Sequence, residues 1–75
     1  MSWLRQDTLG RCDFLDVLEE AAVRRTPVEM ELADGERLST RVVDVEATVE
    51  GDVVVLEDGR RIPVGEVGAM TRAER

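Results

Sequence analysis

Two hydrophobic periods run along the chain and meet near a proline. Between residues 13 and 25 the period is helical: Phe14, Leu15, Leu18, Ala21 and Ala22 gather on one arc at about 100° per residue. Asp13, Asp16, Glu19 and Glu20 gather on the opposite arc. The spacing predicts a helix over 13–25, with Asp13 as N-cap and Asp16 three residues on as the acidic member of a capping box. Arg24 and Arg25 suit the negative end of the helix dipole, and Arg24 stands at i,i+4 from Glu20. Pro27 stops the helix, because the residue before a proline avoids helical backbone.

From Val28 the period falls to two. Val28, Met30 and Leu32 alternate with Glu29 and Glu31, the pattern of a half-buried strand. Asp34-Gly35 signals a turn, and a longer second strand follows over 36–47. Its alternation drifts at Val42-Val43-Asp44-Val45, which predicts a bulge or a strong bend. Glu50-Gly51-Asp52 is a turn, 53–57 a third strand, and Asp58-Gly59 a tight hairpin turn. A fourth strand over 60–64 follows, with Glu57 and Arg60 placed as a cross-strand charge pair. Pro63 cannot donate to a ladder, so this strand lies at an edge or ends there. Residues 65–70 leave room for one short closing strand.

Residues 1–11 have no clear period and read as an N-terminal arm, docked through Trp3 and Leu4 on the barrel or on another chain. Residues 12–70 read as one domain and 71–75 as a polar tail. The fold class is mainly β with one N-terminal α-helix. Short strands joined by tight turns favour a small, strongly bent antiparallel β-barrel of about five strands, with the apolar arc of the helix over one open end or face.

Seventy-five residues give one domain with a modest core. Trp3 and Phe14 are the only aromatic residues, so that core is aliphatic. The net charge of −7 repels polyanions. It argues against direct nucleic-acid binding and against an anionic membrane surface, and it favours a basic protein as partner. An acidic surface that only aids solubility is the plainer alternative. No hydrophobic run has the length of a signal-peptide core or a membrane span, and the expected location is cytoplasmic.

No catalytic constellation is legible, so a non-enzymatic role without cofactor is expected. Histidine, the commonest general base and metal ligand, is absent. Cys12 has carboxylates as its nearest ionisable neighbours and no base to activate it; it reads as a small, partly buried residue at the start of the helix. The glycines sit singly in turns and form no phosphate loop. Asp13, Asp16 and Glu20 follow helical spacing rather than a calcium-loop pattern, and no metal site is expected.

Two stretches carry a resemblance. One is Cys12-Asp13-Phe14-Leu15-Asp16-Val17-Leu18-Glu19-Glu20-Ala21. The other is Val28-Glu29-Met30-Glu31-Leu32-Ala33-Asp34-Gly35-Glu36-Arg37-Leu38, with Asp44 six residues on. In this order they resemble the Rho-binding antiterminators, the Rof family, and the likeness covers about residues 12–70. The resemblance implies an Sm-like fold: an N-terminal helix on a five-stranded, strongly bent barrel. It also implies a function, binding of the hexameric transcription terminator Rho at its RNA-binding N-terminal domain, which blocks RNA loading. On this chain the helix part of the binding surface would be Asp13, Asp16, Glu19 and Glu20. The segment Glu46 to Asp52 looks shorter and more acidic than the family pattern, and the first eleven residues have no counterpart in it. Two other readings stand beside this one: an Sm-like module that oligomerises or binds RNA as a ring, and an acidic regulatory module for another basic protein. The Rho reading expects a monomer when free.

Overall fold

The computed structural model describes residues 3–73. Their element order is β1 (Leu4–Arg5), α1 (Gln6–Leu9), α2 (Arg11–Arg24), β2 (Pro27–Leu32), β3 (Arg37–Thr48), β4 (Gly51–Leu56), β5 (Arg61–Pro63), a 3₁₀ turn (Val64–Glu66) and β6 (Val67–Arg72). The fold is mainly β, six antiparallel strands with the main helix ahead of five of them, as the change of period predicts.

Helix α2 begins two residues earlier than expected. Its N-cap is Gly10, at φ 89°, and no side chain caps it. The expected Asp13 cap and its capping box with Asp16 are therefore not formed. Gly10 is the joint between two successive helices, and a positive φ there suits glycine. Asp13 lies instead inside the first turn, where a carboxylate still complements the helix dipole. At the other end the helix closes at Arg24. Arg25 takes the left-handed conformation at φ 56° and its N–H donates to the Ala21 carbonyl. Pro27 then opens β2.

The strand order is β1-β6-β2-β3-β4-β5. Strand β3 is the spine of the sheet. Its first part pairs with β2, from Glu31↔Arg37 to Pro27↔Arg41. Its second part pairs with β4, from Val42↔Leu56 to Thr48↔Gly51, with the register slipping between Val42 and Asp44. The bulge expected from the broken alternation is therefore present, and it sits where β3 exchanges one partner for the other. A bulged strand bends and twists more strongly, so this point folds the sheet over. The two end strands, β1 and β5, do not pair with each other, and the sheet remains open.

Three expectations are corrected. The arm is structured: β1 adds a sixth strand through Leu4↔Met70 and Arg5↔Ala69. The last strand runs over Val67–Arg72 behind the 3₁₀ turn, so Thr71 and Arg72 belong to the sheet rather than to a tail. Glu57 and Arg60 do not form an ion pair; the Asp58-Gly59 turn is closed by Arg60 N–H to Asp58 Oδ1 at 3.0 Å and Gly59 N–H to the Leu56 carbonyl at 2.9 Å.

The core is aliphatic around a single aromatic ring. Phe14 and Leu18 of α2 are wholly buried against Val28 and Met30 of β2, Val42 of β3, Val54 and Leu56 of β4, and Val67 and Met70 of β6. Val17 packs on this cluster as well, so the apolar stripe runs Phe14, Val17, Leu18, Ala21, with Leu15 and Ala22 on its flank. Trp3 stays outside the core, with the Arg37 guanidinium 4.9 Å from its ring centroid.

Candidate functional site

Burial of Phe14, Leu18 and Ala21 fixes the rotation of α2 and turns its other face to solvent. Asp13, Asp16, Glu19 and Glu20 are all exposed, as the sequence predicts. On a helix, residues three and four apart are neighbours, so Asp16 adjoins Asp13, Glu19 and Glu20 at once. Each such like-charge contact destabilises the helix by a few tenths of a kcal/mol.

The structure divides the four carboxylates. Glu20 Oε2 lies 3.1 Å from Arg24 Nε, the i,i+4 pair expected from the sequence. Glu20 also lines a cleft of about 140 Å³ with Leu4, Val17, Ala21, Val28 and Met70, on the flank of the helix that meets the arm. The other three carboxylates form the row Asp13–Asp16–Glu19. The remaining ion pairs among the described residues are Arg5–Glu31 at 3.8 Å, Arg11–Asp52 at 3.9 Å and Arg61–Glu46 at 2.7 Å. They engage acids of the sheet and leave that row unpaired. Arg11, the cation at the start of α2, is drawn away by Asp52 and by Gln6, whose Oε1 accepts from Arg11 Nε at 2.9 Å.

Sequence reasoning missed one acidic neighbour. At the bulge of β3, Asp44 lines the same open groove as Glu19, with Ala22, Val23, Val43 and Val45. Asp44 Oδ1 accepts the Val45 N–H at 2.8 Å, which holds the carboxylate in place at the bend. The broken alternation located the bend; nothing in the sequence said that it would face the end of α2.

Cys12 is exposed on the outer face of α2, not partly buried as expected. One residue after the helix begins, its side chain points away from the Phe14–Leu18 stripe. Among the described residues no group of three or more His, Cys, Asp or Glu side chains is placed to hold a metal ion. No helix among them is long and apolar enough to cross a membrane. Compared with known family models and with curated proteins, the chain matches none.

Proposed function

We propose that this protein is a non-enzymatic inhibitor of the transcription terminator Rho: a cytoplasmic antiterminator that docks on the RNA-binding N-terminal domain and keeps RNA from loading. The observation that carries this reading is the row Asp13–Asp16–Glu19, exposed, outside every ion pair among the described residues and on one face of a helix. Such a row offers negative charge at regular spacing, as a phosphate backbone does, to a surface built from cations. The resemblance of Cys12–Ala21 and Val28–Leu38 to the Rho-binding antiterminators supports the same reading. So does the order of elements, a helix followed by antiparallel strands with register shifts at Glu31/Leu32 and Val42/Asp44, which suits an Sm-like fold although the sheet is open.

The mechanism is occlusion driven by charge. A protein of net charge −7 is drawn towards a basic cleft, and complementary potentials raise the association rate. The attraction weakens with salt, because exposed charges are screened beyond about 10 Å at 0.1 M. RNA and this protein then compete for one surface, and no bond is made or broken. Calorimetric titration of the protein into purified Rho, at low and moderate salt and with and without a C-rich RNA, tests this. Salt-sensitive binding that the RNA abolishes is the expected result. Absence of binding at both salt concentrations removes Rho from the reading.

A second reading rests on the open sheet. Strands β1 and β5 both present an edge, and edge strands invite pairing between copies. The same net charge opposes assembly of identical chains. Light scattering at micromolar concentration separates the two: a monomer agrees with the inhibitor, a ring with an oligomerising module.

A further inference from the structure

We infer that the groove between the last turns of α2 and the bulge of β3 is an anchor site for one arginine side chain of the basic partner. Here the stem lies over Val23, Val43 and Val45, and the guanidinium lies between Glu19 and Asp44. This inference deepens the proposed function and rests on it for the identity of the partner.

Three observations converge on the groove. The first is shape: it is open to solvent and holds about 380 Å³, walled by α2 on one side and the bent strand on the other. The second is a set of apolar side chains, Val23, Val43 and Val45, that line the groove beside its two carboxylates. Val23 is 83% exposed although it sits on a helix whose inner face has enough apolar residues without it. Val43 is the residue left between the two registers of β3, since Val42 pairs with Leu56 and Asp44 with Val55. The third is charge. Glu19 and Asp44 take part in none of the ion pairs among the described residues, whereas Glu20, Glu31, Glu46 and Asp52 each have an arginine.

Arginine is the side chain that meets all three. Its methylene stem covers apolar surface while its head stays at the rim. Its planar, weakly hydrated guanidinium carries five donors and serves two carboxylates at once, which a lysine ammonium does less well. A second copy of this chain is the wrong occupant, because it would bring another seven negative charges to an already acidic rim. The groove therefore adds to the helix row something the row lacks. The row attracts any cation at long range, whereas the groove selects a shape and fixes the register of the complex.

The test compares the wild-type protein with Asp44→Asn, Val23→Ser and the control Glu50→Gln in calorimetric titrations against purified Rho. Asn keeps the Oδ1 acceptor for the Val45 N–H and removes only the charge, so the bulge survives; far-UV circular dichroism checks that it does. The expected result is binding about tenfold weaker for each of Asp44→Asn and Val23→Ser, with Glu50→Gln unchanged. Wild-type affinity in both groove variants overturns the anchor while leaving the acidic-row reading of Rho in place. If the wild-type protein does not bind Rho, the proposed function fails, and a second arm judges the groove alone. A short apolar peptide with one arginine is titrated into the ¹⁵N-labelled protein, with the lysine version as control. Shifts confined to the amides of Glu19, Val23, Val43 and Asp44, larger for arginine, support the site. Shifts spread along the acidic face, or equal for the two peptides, or absent, overturn it.

Discussion

Gln6 and Val67 are sixty-one residues apart in sequence and are joined by a hydrogen bond of 2.7 Å, from the Gln6 Nε2 to the Val67 carbonyl. The same amide nitrogen donates to the Val64 carbonyl at 3.0 Å. One side chain thus ties the arm to both ends of the 3₁₀ turn that leads into β6. It adds a second donor to the Val64 carbonyl, which already accepts the Val67 N–H within the turn, and it ties the arm next to the pairing of β1 with Met70 and Ala69.

Gln6→Ala removes both bonds to the turn, and with them the acceptor of Arg11 Nε; the Val64 carbonyl keeps the Val67 N–H. The expected loss is about 1–3 kcal/mol, measured as a lower urea midpoint with an unchanged slope. Gln6→Glu is expected to be at least as damaging, since it replaces the donor by a carboxylate facing two carbonyl oxygens. A glutamate variant as stable as the wild type would show that the arm is held by other contacts.

Phe14 is the only aromatic side chain in the core and is wholly buried. Phe14→Ala is expected to cost about 3–5 kcal/mol. A chain of this length has only about 4–11 kcal/mol of stability in total. The variant should therefore be largely unfolded at 37 °C by circular dichroism, while Phe14→Leu melts cooperatively at a lower temperature. Phe14 also fixes the rotation of α2, so a folded Phe14→Ala protein with native near-ultraviolet signal would mean that the helix is positioned from elsewhere.

Gly59 sits at φ 94° in the Asp58-Gly59 turn, and a methyl group added there would meet nothing within 4 Å. The cost of Gly59→Ala is therefore one of backbone conformation alone, about 1–2 kcal/mol. The handedness of the added methyl decides the outcome. A synthetic chain with D-alanine at this position is expected to match or exceed wild-type stability, because that residue favours a positive φ. Equal losses for the L and D forms would contradict the turn geometry.

These cases also show what the sequence could and could not disclose. The change of period at Pro27 separated helix from sheet, and the two valines at 42 and 43 gave away the bulge, because both signals are local. The Asp13 cap failed because glycine at 10, with a positive φ, started the helix earlier than any side-chain capping signal. That the arm docks was legible in Leu4, which pairs with Met70, but its form was not: two residues of strand and four of helix are too short for a period, and the β1–β6 pairing and the bonds from Gln6 are long-range. The 3₁₀ turn after Pro63 has no local signature, and it moves the last strand from the expected 65–70 to Val67–Arg72. Of the candidate surface, the helix row could be counted off at 100° per residue. That Glu19 and Asp44 line one groove depends on how far β3 folds over at its bulge, which no local pattern encodes.

Asp16→Arg with Glu19→Arg reverses the charge at the centre of the exposed row. Both positions face solvent, and the guanidinium introduced at the first of them meets Asp13 and Glu20 as attractive neighbours, so folding stability should stay within about 0.5 kcal/mol of wild type. Binding to Rho should behave quite differently. Two cations now face a cationic surface, and like-charge juxtaposition costs several kcal/mol, so affinity should fall about a hundredfold or more. The salt dependence carries the sharper information. Wild-type association should slow as salt rises, because screening removes the steering attraction, whereas association of the reversed protein should be flat or quicken, because screening removes a repulsion. Stopped-flow association rates over a salt series separate these cases. A variant that binds as tightly as wild type, with the same salt slope, would take the helix row out of the mechanism and leave the charge of the sheet to explain any attraction to Rho.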